Sequence, residues 1–325
     1  MKYLIFDISS VLYRTFFQNK NQDVVTSTGL AHHMALMSMN KFYKEFKPKT
    51  GVVAAFDRHS WRKDYTNSEH CLSQKPYKSN RRRNMTPAQE AKFFAFKQHV
   101  DEFESILQEH TAIICLSCDG LEADDLIAGF VQAYGDEDEI AIISRDRDLA
   151  QLLDNNRVTQ YDPTSGEPIT VESAIKDLYK IKDKTKRIDE DLCCVDYFLF
   201  AKCLKGDTGD YVQSAYPGIR KGKVDKAYRN PYEYTNLMNE TWKSKPNSDG
   251  DVVKYRVGDL VKEGNILMNL SSQPDSIRHK IFNTILERTE NPGSFSYFHF
   301  MRFLGKYEMK EIAKNLETFA PLLNG

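Results

Sequence analysis

The chain has 325 residues, of which 41% are hydrophobic and 28% charged; this fits one large folded core with an appended region and excludes wholesale disorder. No apolar run approaches the roughly 18 residues that a membrane span requires, and Asp7 interrupts the opening MKYLIFDISSVLY, which does not read as a signal peptide. The formal net charge of −1 hides basic stretches at KPYKSNRRR (75–83) and KIKDKTKR (180–187), so a polyanion partner would be held by local patches and not by a global field.

In chain order, four segments read as buried strands: YLIFDI (3–8), GVVAAFD (51–57), TAIICLS (111–117) and EIAIIS (139–144). Helix-patterned segments alternate with them at 29–46, 90–110 and 122–134, and another is expected to begin with the acids of SRDRDLAQLL. Strand and helix in alternation predict a parallel α/β sheet. The stretch from Arg58 to Asn84 fits neither pattern: it is polar, studded with aromatics and increasingly basic, a long excursion of the kind that is usually functional. After about residue 190 the strand signals fade into helices, with Gly-punctuated turns around KGDTGD (205–210) and a polar loop at SKPNSDGD (244–251). The expected division is an α/β domain over 1–190 and a helical region over 191–325, with no clean linker between them. Six cysteines without regular spacing read as reduced cytoplasmic thiols. Cys115 and Cys118 have C-x-x-C spacing but no matching second pair, so buried thiols are a better reading than zinc.

The acids carry the chemistry. Asp7 and Asp57 lie at the ends of the first two strands, Glu122, Asp124 and Asp125 follow the third, and Asp146 and Asp148 follow the fourth. The C-termini of an open parallel sheet share one edge, where ligands bind. Taken singly, Asp124 or Asp146 is equally well explained as a helix cap. Together, seven acids at one rim would repel one another unless a divalent cation neutralised them. With no histidine in these motifs, Mg²⁺ fits, and Mn²⁺ could substitute. The number of carboxylates suits two metals roughly 3.5–4 Å apart, clamping both oxygens of a phosphodiester. Asp207 and Asp210 add a Gly-rich turn, which is either only a turn or, with the basic GIRKGK behind it, a backbone-phosphate element. Lys75, Lys78, Arg81, Arg82 and Arg83, with Tyr77 among them and Trp61, Arg62 and Lys63 upstream, make a basic and aromatic run suited to a single strand, although such a run is more often a solvated face.

Together these residues resemble the FEN-like 5′-nuclease superfamily: AAFDRHSWRKDY, PYKSNRR, GLEADDLIA, SRDRDLAQL and KGDTGD occur in family order, and EGNILMNLSSQPDSI and FSYFHFMRFLG are similar to C-terminal segments of its phage ribonuclease H branch in T-even-like bacteriophages. The resemblance implies a PIN-like α/β fold with a central, mostly parallel sheet and flanking helices, a helical arch over 58–97, and a helix-hairpin-helix-type element over 203–229 that binds duplex. It implies a divalent-metal-dependent 5′-3′ exonuclease and flap endonuclease that removes RNA primers and adjacent DNA. Asp7, Asp57, Glu122, Asp124 and Asp125 would form the tighter metal site, and Asp146, Asp148, Asp207 and Asp210 would hold or orient the second. Lys78 and Arg81 would contact the scissile phosphate. Arg62, Lys63, Lys75, Tyr77, Arg82, Arg83, Gly218, Gly222 and Lys223 would meet nucleic acid. DNA and RNA–DNA hybrids, a single-strand-binding protein and a sliding clamp would be its partners, and a monomer in a host cytoplasm its setting.

Two features depart from the family pattern: DIS stands where DG is common after the first strand, and YPGIRKGKVDKA replaces the compact Gly-hydrophobic-Gly-x-Lys turn. A haloacid-dehalogenase-type phosphatase would want a second acid at Ser9. A PIN-type ribonuclease would be far shorter and lack the arch. A non-catalytic nucleic-acid scaffold would use the acids only for its fold.

Overall fold

The computed structural model describes all residues except 20, 74, 82–84, 155–156, 184 and 245–251; the polar loop expected at 244–251 lies almost wholly outside the described residues. In chain order the elements are β1 (Tyr3–Asp7), α1 (Ile8–Gln18), α2 (Val24–Phe46), β2 (Gly51–Ala55), α3 (Trp61–Thr66), α4 (Pro87–His110), β3 (Ile114–Leu116), α5 (Ala123–Tyr134), β4 (Ile140–Ile143), a 3₁₀ turn (Arg147–Leu152), β5 (Val158–Tyr161), β6 (Pro168–Ile169) and α6 (Val171–Leu178). There follow α7 (Val195–Lys205), α8 (Lys221–Arg229), α9 (Pro231–Asn239), β7 (Thr241–Lys243), β8 (Lys254–Arg256), α10 (Val257–Met268), α11 (Asp275–Glu290), α12 (Tyr297–Lys306), α13 (Lys310–Lys314) and α14 (Ala320–Asn324). No helix among the described residues is long and apolar enough to cross a membrane.

Two units emerge. The first takes Met1–His59, Met85–Ile169 and Ser276–Gly325, and the second takes Ser60–Asn84 and Thr170–Asp275. This division by contact crosses the sequence-order division at 190: the excursion after Arg58 belongs with the second unit, and the last fifty residues with the first.

In the first unit the sheet runs β3-β2-β1-β4-β5-β6, parallel throughout except for β6. The expected mostly parallel sheet with flanking helices is the architecture found. β1 is buried along its whole length, as a central strand covered on both faces must be. Its last residue, Asp7, is also the N-cap of α1, accepting from the Ser10 amide at 2.9 Å, so strand passes into helix without a loop. The core unites Leu4, Phe6, Val52 and Ile143 with Phe300, Phe303, Leu304 and Leu322 from the C-terminal helices. The Ala112 amide donates to the Leu323 carbonyl at 2.8 Å, tying the end of the chain beside the start of β3.

In the second unit, α7 and α8 flank the Gly-containing segment 206–220, within the stretch 203–229 expected to form a helix-hairpin-helix-type element. Gly206 ends α7 at φ +67, and a Cβ there would lie 2.6 Å from the Ser214 amide nitrogen, so this position requires glycine. β7 and β8 form a short antiparallel hairpin, and the Trp242 indole donates to the Ala215 carbonyl at 2.8 Å.

Several elements depart from the sequence reading, β6, α6 and the β7–β8 hairpin among them. α1 and β5 have no counterpart in it: α1 follows β1 so closely that the two read as one apolar run, and β5 alternates buried with half-buried residues, so Thr159 and Gln160 mask the strand. The helix expected from SRDRDLAQLL is only a 3₁₀ turn, because the Asp146 carboxylate takes the Asp148 amide two residues on, at 2.8 Å.

Candidate metal and nucleic-acid site

Parallel pairing of β1 with β2 and β4, and of β2 with β3, places the C-terminal ends of all four strands along one edge. Asp7, Asp57, Glu122 and Asp146 are the residues at or just beyond those ends. Specific hydrogen bonds fix these acids and their neighbours. The Asp7 carboxylate is buried; its Oδ1 accepts the Ser10 amide and its Oδ2 the Ser144 hydroxyl at 2.7 Å. The Asp57 amide donates to the Ser9 hydroxyl at 2.7 Å, and the Asp57 carboxylate accepts the Ala123 amide at 2.9 Å, joining β2 to the first turn of α5. The Glu122 amide donates to Asp125 at 3.1 Å, with Asp125 fully buried and Asp124 half-buried. Arg58, beside Asp57, pairs with Asp101 and Glu104 on α4, and Arg145 turns to Asp162 at 3.4 Å.

Among the described residues no three of these side chains stand close enough to form a ready metal cage. The donor set nonetheless has the right chemistry for a hard cation: only carboxylate oxygens, backed by hydroxyls and amides, with no thiolate or imidazole among the acids. The C-x-x-C cysteines are free thiols, Cys115 buried and Cys118 half-buried.

The second unit places its expected site residues in one knot. Asp210 accepts the Tyr77 hydroxyl at 2.8 Å, pairs with Lys78 at 3.5 Å, and pairs with Arg81. The Lys78 amide also donates to the Asp210 carbonyl at 2.9 Å, and Lys78 has a left-handed backbone, φ +56. Burial alone would raise the Asp210 pKa, but Lys78, Arg81 and the Tyr77 hydroxyl hold it below the usual carboxylate range. Asp207 accepts the Gly209 amide at 2.7 Å and pairs at 3.2 Å with Lys202, which is itself buried. Two of the acids expected to serve a second metal, Asp207 and Asp210, are therefore, in this conformation, ion-paired to cations of their own unit.

Two residues expected to face nucleic acid do different work. Arg62 is buried and donates at 2.7 Å to the Leu267 carbonyl in the last turn of α10, one of the carbonyls a helix end leaves unpaired. Tyr77 is buried with Cys203, Val212, Leu267 and Met268. Both side chains are buried in this conformation. Lys63 is half-buried on α3. Lys75 lies over the Tyr211 ring at 5.2 Å. Lys223 is clamped by Glu240 at 2.6 and 2.7 Å. Gly218 and Gly222 are exposed, with nothing within 4 Å of where a Cβ would stand, so a phosphate can approach their backbone closely. Arg82 and Arg83 lie outside the described residues. The sequence reading missed Ser9, Ser144, Gln160, Lys202 and Glu263. A lysine inside the apolar run FLFAKCL was the one local signal among them, since a buried lysine needs a partner.

A family model described as 5′-3′ exonuclease, N-terminal resolvase-like domain matches residues 2–185. The chain belongs to this family. Its relatives include a 5′-3′ exonuclease of Mycoplasmopsis pulmonis, 24% identical over 335 residues, covering 98% of this chain and 95% of that protein. DNA polymerase I of Caldicellulosiruptor bescii is 27% identical over 281 residues, 84% of this chain but only 28% of the polymerase, so the chain spans little more than a quarter of that relative. Among solved structures, the 5′-exonuclease of bacteriophage T5 with zinc ions bound matches with a TM-score of 0.60 at 19% identity, over 89% of this chain and 100% of that one. The bacteriophage T5 flap endonuclease in a pseudo-enzyme–product complex with DNA and metal ions matches at 0.58 and 19% over the same shares. Both structures share the exonuclease family's fold.

Proposed function

We propose that the chain is a divalent-metal-dependent 5′ nuclease that hydrolyses phosphodiesters at 5′ ends and flaps, removing RNA primers paired to DNA together with adjoining DNA during replication. The observation that carries this reading is the delivery of acids by four neighbouring parallel strands to one sheet edge. Membership of the 5′-3′ exonuclease family supports it. So do the metal ions and DNA that the T5 structures are described as holding.

Asp7, Asp57, Glu122, Asp124 and Asp125 would hold one Mg²⁺, and Asp146 and Asp148 would contribute to a second, with Mn²⁺ able to replace either. When bound, such a cation would supply a water of lowered pKa and charge neutralisation for the phosphate. The chain's own residues hold the acids in place: Ser10 and Ser144 orient Asp7, and Ala123 orients Asp57. Lys78 and Arg81 are the cations for the developing phosphate charge, and reaching it means exchanging Asp210 for phosphate oxygens. Asp207 and Asp210 then keep a supporting role, placing Lys202, Lys78 and Arg81. The open backbone at Gly218 and Gly222 suits duplex phosphate. A single-strand-binding protein and a sliding clamp are the partners such a monomer would meet at a replication fork in its host's cytoplasm.

The test uses 5′-labelled flap, nicked and RNA-primed duplexes with Mg²⁺ or EDTA. Cleavage is expected only with metal, and the product lengths separate exonuclease from flap endonuclease action. The double variant Asp146→Asn, Asp148→Asn should bind these substrates but lose cleavage. Metal-independent cleavage would overturn the metal-dependent mechanism, and cleavage of none of the three would overturn the proposal in favour of a nucleic-acid scaffold.

A further inference from the structure

One hydroxyl joins two of the acid-bearing strands. Ser144, at the end of β4, is fully buried. Its Oγ lies 3.0 Å from the Asp146 amide nitrogen and 2.7 Å from Asp7 Oδ2. An amide can only donate and a carboxylate can only accept, so the direction of the chain follows: Asp146 N–H to Ser144 Oγ, and Ser144 O–H to Asp7. Bonds arranged head to tail in this way polarise and strengthen one another in a buried setting.

The other side of the same turn is held by β5. Gln160, also buried, sends both N–H groups of its amide into the turn, to the Ser144 carbonyl at 3.0 Å and the Asp146 carbonyl at 2.6 Å. Turning the amide over would set its oxygen against two carbonyl oxygens, so its orientation is fixed. Neither Ser144 nor Gln160 is an acid, and neither has an expected role at the site. Yet together they hold three backbone groups of the β4 turn: the Asp146 amide and the carbonyls of Ser144 and Asp146.

We propose that Ser144 and Gln160 are positioning residues that lock Asp7 and the Asp146–Asp148 turn into one rigid unit for divalent-cation binding. The proposal rests on the nuclease reading above. It assigns to Ser144 the carboxylate orientation of Asp7, and to Gln160 the placement of the turn that presents Asp146 and Asp148. Groups that orient a metal's ligands typically contribute about 10–100-fold to affinity.

The experiment titrates Mn²⁺ into the metal-stripped full chain, following free ion by electron paramagnetic resonance, and measures cleavage of a 5′-labelled flap against Mn²⁺ concentration. Ser144→Ala and Gln160→Met should each weaken Mn²⁺ binding by about 10–100-fold and raise the half-saturating Mn²⁺ for cleavage by the same factor. Cleavage at saturating Mn²⁺ should recover to within a few-fold of the parent. Ser144→Thr, which keeps the hydroxyl, should restore affinity. Equal Mn²⁺ affinity in Ser144→Ala and the parent would overturn the proposal, as would a Ser144→Thr protein as weak as Ser144→Ala, which would mean packing and not the hydroxyl is at work. If Ser144→Ala fails to fold, Gln160→Met decides by the same readouts. A parent that neither binds Mn²⁺ nor cleaves would sink the nuclease reading itself, whereas a parent that does both beside unaffected variants would sink only the positioning role.

Discussion

His32 shows how far a single side chain can depart from its ordinary chemistry. It is fully buried on α2, stacked on Phe103 at 4.6 Å with rings 14° apart and meeting Tyr307 edge-on, and neither ring nitrogen has a partner among the described residues. Burial, helped by the positive charges of His99 and Lys306, pushes its pKa down to about 3. A base whose folded pKa is depressed is neutral in the fold and must stay so. Its contribution is therefore complete above pH 6.5 and is lost as pH falls from there toward about 3. Within that window each pH unit removes about 1.4 kcal/mol of stability. His32→Phe keeps the stack and removes the titration. Urea unfolding at pH 7.5 and 5.5 should show a smaller acid loss for His32→Phe than for the parent, and equal slopes would refute the account.

At the scale of elements, α5 carries two tasks, one in its first turn and one at its middle. Its first turn meets the acids: Glu122 is its N-cap, Asp124 and Asp125 lie in the first turn, and the Ala123 amide holds Asp57. Further along, Gly129 lets α11 approach. A Cβ at Gly129 would lie 2.1 Å from Ile281 Cγ2 and 3.1 Å from Ile285 Cδ1. Gly129→Ala should therefore cost about 1–3 kcal/mol through overpacking, despite alanine's better helix propensity. Adding Ile281→Ala should return part of that loss, measured as coupling in a double-mutant cycle by urea unfolding. A Gly129→Ala protein more stable than the parent would show that α11 yields. In the second unit α10 plays a comparable part: its Glu263 accepts the amides of Leu72 and Ser73, the latter at 3.1 Å, and its last turn receives Arg62. The excursion after Arg58 is thus fastened to α10 at Arg62 and at Leu72–Ser73.

At the scale of the whole chain, each unit is discontinuous in sequence. The first is completed by the final helices, whose Phe300, Phe303, Leu304 and Leu322 lie in the same core as β1, β2 and β4. A chain ending at residue 275 would leave that apolar surface open to water. It should lose the cooperative unfolding transition of the first unit and bind a hydrophobic dye. Retention of the parent's unfolding midpoint would show instead that the sheet and its leading helices are self-sufficient.

Much of this was legible in the sequence, for a physical reason. Covered parallel strands must be continuously apolar, so β1, β2, β3 and β4 announce themselves, and the acids stand out because they interrupt or follow those runs. Family membership was legible in the same motifs. Local pattern determined the sheet, its acid-bearing edge and the helices that alternate with it. It was silent on partners distant in sequence, because a hydrogen bond or ion pair across a fold leaves no periodicity. Only the tertiary structure decided that Arg62 and Tyr77 are buried, that Asp210 holds Lys78 and Arg81, and that the final helices complete the first core. It alone also decided that a serine on β4 and a glutamine on β5 hold Asp7 and the Asp146 turn together. Those choices depend on which surfaces meet once the chain is folded, and no short stretch of the chain contains that information.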